Sequence, residues 1–334
     1  QLDGEKVQPL KRSEKSAYTD SEIITEASTI PATLSKNIVT GILKNDMKFD
    51  GLVVTDAMDM SGLTLYFNQE EAAVRAVLAG NDILLKPSNG DAPIRGLREA
   101  VRAGRITEAR IDESVRKILA WKYKLGLDKR QHTPLESIDR IVASRETQAL
   151  SDEIARDAIT LVKNEDTALP LRAGQKALVL CITNGEDRNF VGNTLTRALS
   201  RNGIVTERIA IDERATEKEI ENALKKTSEA DVVVAGLFGR VRSGAKNSVG
   251  LPEAGERLLN EVLKTETPVV SIAFGNPYLL RSFPSMKTYI VAYGEMSSLQ
   301  TASAEAIAGK IEFKGRLPIT VGEYPRGTGL SLQK

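Results

Sequence analysis

Two carboxylates three positions apart, Asp56 and Asp59, close the apolar run GLVVTDAMDMSGL at residues 51–63. In parallel α/β folds reactive groups gather where strands end at their carboxyl edge, because the following loop leaves the core there. Asp56 occupies such a position. A carboxylate held there can attack an anomeric carbon and split glycoside hydrolysis into two displacements, the retaining route. It can equally cap the next helix or pair with a nearby Lys or Arg, and the pattern alone leaves both uses open. Asp59, on a helical turn, faces roughly the same side, which suits it to a helix cap or to a contact behind Asp56. Lys86, ending DILLKP, reaches the same rim, where its charge could hold Asp56 ionised or simply stand in solvent. With Met58, between the two acids, and Arg240, Lys86 completes the set of candidate substrate-binding residues.

The elements that would position these residues alternate between strand and helix. SEIITEAS at 21–28, LVVT and DILLKP read as strands. Between and after them come helical patterns: SKNIVTGILKNDM with Ile38, Ile42 and Leu43 on one face, EEAAVRAVL ended by Gly80, and IRGLREAVRAG. In ARIDESVRKILAWKYKLG, residues Ile111, Val115, Ile118, Leu119 and Tyr123 form a stripe. Residues 128–153 are polar, contain Pro134 and no strand, and read as a linker into the helix ETQALSDEIARDAITLVKN. A second series follows, with strands KALVLCIT, DVVVAGLF, PVVSIAFG and TYIVAYG, a weaker one near GIVTERIAI, and helices between them. This order predicts an open three-layer αβα sandwich with a mainly parallel sheet.

A chain of 334 residues favours two domains over one. Its 46 Lys and Arg against 45 Asp and Glu give a formal charge of +1, so no global field favours nucleic acid or an anionic membrane. A small or neutral partner is expected. The one cysteine, Cys181, lies in an apolar run and reads as a buried thiol, and alone it can form no intramolecular disulfide. No stretch approaches the ~18–20 apolar residues of a membrane span. The chain begins at Gln1 without an initiator Met, so upstream sequence can be lost and export stays undecided. The glycines of FGRVRSGAKNSVG match neither a dinucleotide fingerprint nor a P-loop; Arg240, Arg242 and Lys246 there either border a sugar site at a domain interface or form a solvated basic loop. The only histidine, His132, sits in the polar linker and reads as a surface residue.

The stretch TIPATLSKNIVTGILKNDMKFDGLVVTDAMDMSGL resembles glycoside hydrolase family 3 around its nucleophile, where a PATLS-like turn and helix lead into a strand ending in the catalytic Asp. AGNDILLKPSN is similar to that family's last barrel strand and ITEARIDESVRKILAWKYKLGLD to its closing helix. Downstream, ARDAITLVKNEDTALPL, AFGNPYLLRSFP, VAYGEMSS and GRLPITVGEYPRGTGL resemble the sandwich domain of its two-domain members. The TDAMDM ending is closer to the β-N-acetylglucosaminidase branch than to the β-glucosidase branch. The resemblance implies that Asp56 is the nucleophile, that the substrate is an N-acetylglucosamine-containing glycan or cell-wall fragment, and that no metal or organic cofactor takes part. It also implies an organisation: the C-terminal part of a (β/α)8 TIM-type barrel at 1–127, a linker at 128–153 and the αβα sandwich at 154–334.

Two departures qualify it. The branch takes its general acid from a Lys-His-Phe-Pro-Gly-His-Gly-Asp-like loop that these 334 residues lack, and the loop GRVRSGAKNSVGLP, where other branches place the acid, carries no carboxylate. The three strands before the linker also cannot close a barrel that usually takes about 250 residues, so a missing N-terminal barrel segment or a complementing chain is expected. The rival is a non-catalytic binding or assembly module derived from the same family. β-Glucosidase-type specificity is a further alternative, and a flavodoxin-like ligand-binding domain would explain the second half alone.

Overall fold

The computed structural model describes residues 30–130, 132–142, 144–166, 168–185, 187–241 and 249–332. The strand expected at 21–28 lies outside them, as do Arg242 and Lys246. The chain divides into two compact units, Gln1–Pro134 and Leu135–Lys334.

In the first unit a short 3-10 turn, Ala32–Leu34, precedes a helix at Asn37–Asp46 that is wound as a π-helix, with the Met47 N–H donating to the Ile42 carbonyl at 2.9 Å. The wider winding corrects the face expected from a 3.6-residue period. Val39 and Leu43 turn inward onto Val53 and Ala79, and Ile42 is exposed. Residues 52–55 and 82–85 run side by side in parallel, yet only Val54 and Ile83 form a bridge. The Thr55 N–H donates to the Ile83 carbonyl (3.0 Å) and the Ile83 N–H to the Val53 carbonyl (3.1 Å). One step on, the Leu85 N–H donates to the Thr55 hydroxyl instead (2.9 Å). LVVT and DILLKP are therefore extended segments with a single bridge, because a side-chain oxygen takes the amide that a longer ladder would give to a carbonyl.

Among the described residues of this unit, a four-residue helical turn, Ser61–Thr64, and three longer helices follow: Gln69–Ala79, Asp91–Arg102 and Glu108–Lys124. Asn68 and Thr107 start the first and last by accepting the Glu71 and Arg110 N–H groups. Gly80 stops the first at φ +117°, where a side chain would be strained. Val74, Val77, Ala100 and Ile106 pack these helices together. Of the stripe on Glu108–Lys124, Ile111 joins that cluster, whereas Val115, Leu119 and Tyr123 are exposed.

The second unit is built on a six-stranded, mostly parallel sheet. Its strands are β1 (Thr160–Asn164), β2 (Lys176–Thr183), β3 (Val205–Ile211), β4 (Val232–Phe238), β5 (Val269–Ala273) and β6 (Thr288–Val291), in the order β1-β6-β5-β4-β2-β3. All neighbours are parallel except β1, which runs antiparallel to β6. β1 corrects the expectation that one helix continues to residue 164. That helix is Arg145–Ala158; beyond it Leu161 and Val162 pack into the cores on opposite faces of the sheet, which successive residues do on a strand and cannot do on a helix.

β2 shows why the sheet needs cover on both sides. Val179 and Cys181 face a core shared with helices Asn193–Arg201 and Ser297–Ile307, while Leu178, Leu180 and Ile182 face one shared with Glu217–Glu229 and Glu253–Val262. Each fully buried apolar side chain contributes about 1.5–3 kcal/mol. Packing is close enough that a Cβ on Gly192, at φ +72°, would collide with the Cys181 sulfur. Helices on both faces make the three-layer sandwich.

Candidate active site

Alternation along residues 53–56 sets the direction of Asp56. Val53 and Thr55 are buried toward the helices, so Val54 and Asp56 share the opposite face, where Val54 is 47% exposed. The neighbouring segment behaves alike: Leu84 packs into the core and Leu85 is 47% exposed. Asp56 thus ends its segment at the rim of an open face. Its Oδ1 accepts the Ala57 N–H at 2.7 Å, which orients the carboxylate. Among the described residues, no cation forms an ion pair with Asp56.

Lys86 does not hold Asp56. Its ammonium lies 2.8 Å from the Asp59 carboxylate, and the hydrogen bond to Asp59 raises the pKa of Lys86. Asp59 in turn caps no helix: Met60 precedes the turn Ser61–Thr64, without a side-chain cap. Lys86 reaches Asp59 from a left-handed backbone, φ +47°, a conformation that costs a non-glycine residue roughly 1 kcal/mol. Met58 must be corrected as a substrate-binding residue. Its side chain is 0% exposed and packs with Leu34, Leu63 and Phe67, so it anchors the loop from below and offers nothing to a sugar.

Sequence reasoning missed Gln69, the first residue of its helix. Its Nε2 donates to the Met58 carbonyl (3.1 Å), and its Oε1 accepts the Ser88 N–H (3.2 Å). Nothing in the local pattern marks it, since both partners are main-chain groups 11 and 19 residues away.

At the other end of the two segments a buried charge fixes their start. Asp82 accepts the Val53 N–H (3.0 Å) and the Ser114 hydroxyl (2.6 Å), with Lys117 and Arg110 each 3.8 Å away. Burial pushes its pKa up, but the Ser114 and Val53 hydrogen bonds and the Lys44 and Lys117 charges outweigh it, so the carboxyl stays below its ordinary value. Desolvation lowers the pKa of Lys44, which donates to the Gly80 carbonyl at 2.6 Å.

Arg240 lies in the second unit, on the loop after β4. That loop and the one after β2 leave the sheet toward opposite faces, the switch point at which open α/β sheets bind ligands. Arg240 contacts Asp187 at 2.7 Å and Glu295 at 2.6 Å, two acids on the loops after β2 and β6 that the sequence reading passed over. The Asn184 side chain ties the loop by donating to the Arg240 and Gly250 carbonyls and accepting the Arg240 N–H. Arg240 is thus engaged by two carboxylates within its own unit. His132 is exposed. Burial drives the Cys181 thiol up to about 12, which removes it from nucleophilic chemistry at neutral pH.

Comparison with known proteins gives this arrangement a lineage. The chain is 27% identical over 308 residues to a β-N-acetylglucosaminidase/β-glucosidase of Cellulomonas fimi, covering 89% of this chain and 54% of that protein. It is 29% identical over 351 residues to a lysosomal β-glucosidase of Dictyostelium discoideum, covering 91% and 41%. Among solved structures, a family 3 β-N-acetylglucosaminidase from Paenibacillus sp. str. FPU-7 superposes with a TM-score of 0.73 at 27% identity, covering 86% of this chain and 54% of that one. The chain spans about half the length of the curated relatives it matches. Residues 16–121 match the glycosyl hydrolase family 3 N terminal domain, and residues 159–328 match the glycosyl hydrolase family 3 C-terminal domain. The chain belongs to glycosyl hydrolase family 3.

Proposed function

We propose that Asp56 is the nucleophile of a retaining glycosidase that removes terminal β-linked N-acetylglucosamine. The observation that carries this reading is the place of Asp56: it ends an extended segment on the face turned away from the helices, with one oxygen oriented by the Ala57 N–H. In the first step the free carboxylate attacks the anomeric carbon, the glycosidic C–O bond breaks, and the departing oxygen takes a proton from a general acid. In the second, water attacks the glycosyl ester, the same group accepts its proton, and the Asp56 carboxylate is released. The acid/base comes from polypeptide outside these 334 residues, in an N-terminal barrel segment or a complementing chain. The single histidine, His132, is exposed, and Asp187 and Glu295 beside the Arg240 loop are held in ion pairs with Arg240. The TDAMDM ending and the names of the Cellulomonas and Paenibacillus relatives favour N-acetylglucosamine, while the Dictyostelium relative keeps glucose as the competing sugar.

The test bypasses the missing acid. Fluoride departs without protonation, so 5-fluoro-N-acetylglucosaminyl fluoride and 2-deoxy-2-fluoroglucosyl fluoride should each react if their sugar fits. Intact mass should rise by one N-acetylglucosamine-derived glycosyl unit on the parent chain and not on Asp56→Ala. Labelling by the glucosyl donor alone would move the specificity to glucosides. Failure of both donors on folded protein would favour the non-catalytic module.

A further inference from the structure

We infer that Gln69 is a positioning residue that sets the Asp56 loop by clamping it to the neighbouring rim loop. The inference rests on the reading of Asp56 as a nucleophile and extends it to a residue outside the sugar site. The two segments share one bridge, so the ladder by itself does little to fix the loop at 56–60 against that at 86–90. Three contacts take over. The Met58 N–H donates to the Leu85 carbonyl at 2.9 Å, Lys86 pairs with Asp59 at 2.8 Å, and the Gln69 carboxamide joins the Met58 carbonyl to the Ser88 N–H. The first is main chain. The second is an exposed ion pair, which holds little in water.

The third demands a particular side chain. The Met58 carbonyl needs a donor and the Ser88 amide an acceptor, and a primary amide supplies both. A carboxylate would accept from Ser88 but face the Met58 carbonyl with like partial charge, and an apolar residue would serve neither. Met58 lies two residues after Asp56, with its side chain anchored in the core, so freeing its carbonyl lets the intervening backbone move and the carboxylate drift. Displacements of about 1 Å can cost up to a hundredfold in rate.

The measurement is the labelling rate with 5-fluoro-N-acetylglucosaminyl fluoride, resolved into its maximal rate and half-saturating concentration. Gln69→Leu and Gln69→Glu should lower the maximal rate about tenfold or more while leaving half-saturation within about twofold. Asn68→Ala is the control, since it weakens the start of the same helix without touching either loop. It should lower the melting temperature and leave the maximal rate unchanged. Equal losses in Asn68→Ala and Gln69→Leu, or an unchanged rate in Gln69→Leu, would overturn the assignment.

Hydrogen exchange separates its failure from that of Asp56. Gln69→Leu should lose protection in peptides covering 56–60 and 86–90, with the rest of the first unit unchanged. If the parent is not labelled, the nucleophile reading fails and exchange alone decides the clamp: loss confined to the two loops upholds it, and unchanged protection removes it.

Discussion

The two units solve the same α/β problem to different degrees. In Leu135–Lys334 six strands are laddered and both faces of the sheet are covered, so that Leu180 on one face and Val179 on the other are each 0% exposed. Among the described residues of Gln1–Pro134 two segments share a single bridge, one face is packed by helices, and the other leaves Val54 and Leu85 about half exposed. The covered sheet takes its order from hydrogen-bond ladders and apolar burial. The open one depends on individual side chains: Thr55 at the ladder, Asp82 at its start, Gln69 and Lys86 at its rim. The candidate nucleophile sits in the unit whose geometry hangs on a few polar contacts, which makes that geometry easy to disturb selectively.

The strongest way to break this contrast is to remove one key residue from each unit. Asp82→Ala takes away the carboxylate that Lys117, Arg110 and Ser114 converge on, and breaking such a buried pair costs about 3–5 kcal/mol. Exchange should then rise throughout residues 30–124 and stay unchanged in β2 and β4. Leu180→Ala opens a cavity in the sandwich at about 2–5 kcal/mol, with the opposite pattern. If either substitution loosened both units equally, the division of labour would be wrong.

Acid sharpens the comparison within the second unit. Thr216 and Glu219 form a capping box at the start of helix Glu217–Glu229, and Arg188 pairs with Glu219. The Thr216 N–H, the Arg188 guanidinium and the Thr216 hydroxyl lower the Glu219 pKa to about 2. A folded pKa below the unfolded value of about 4.3 means that the box stabilises fully above that pH and is lost as pH falls toward about 2. Exchange in the 217–229 peptide should therefore quicken between pH 5 and pH 2.5, after correction for the intrinsic rate. Glu219→Gln should remove most of that pH dependence, and its persistence in the variant would assign it elsewhere. β5, fully buried, should barely respond.

Where the sequence could be read, the reason lies in burial. β2, β4, β5 and β6 are largely apolar runs, interrupted in β5 by the buried Ser271, and all four strands form where those runs lie. The motif around Asp56 was legible because extended segment, turn and acid are contiguous. β1 was hidden because AITLV follows its helix with no Gly or Pro between them, so a single helical period runs through both. The face of Asn37–Asp46 was misjudged because π winding changes the period itself. Met58 follows Asp56 by two residues and Lys86 ends the neighbouring segment, yet one points into the core and the other to Asp59, since direction at a rim depends on backbone torsions that residue type does not fix. Gln69, Asp187 and Glu295 act on partners far along the chain, which no local pattern records.

The central claim is that Asp56, and not its neighbours, forms the glycosyl ester. The most direct measurement is to label the folded chain with 5-fluoro-N-acetylglucosaminyl fluoride, digest it at low pH, and sequence the peptides covering 49–75 by fragmentation. The account predicts the added mass on Asp56. Label on Asp50, Asp59 or Glu70, or an unlabelled chain at saturating donor, would contradict it.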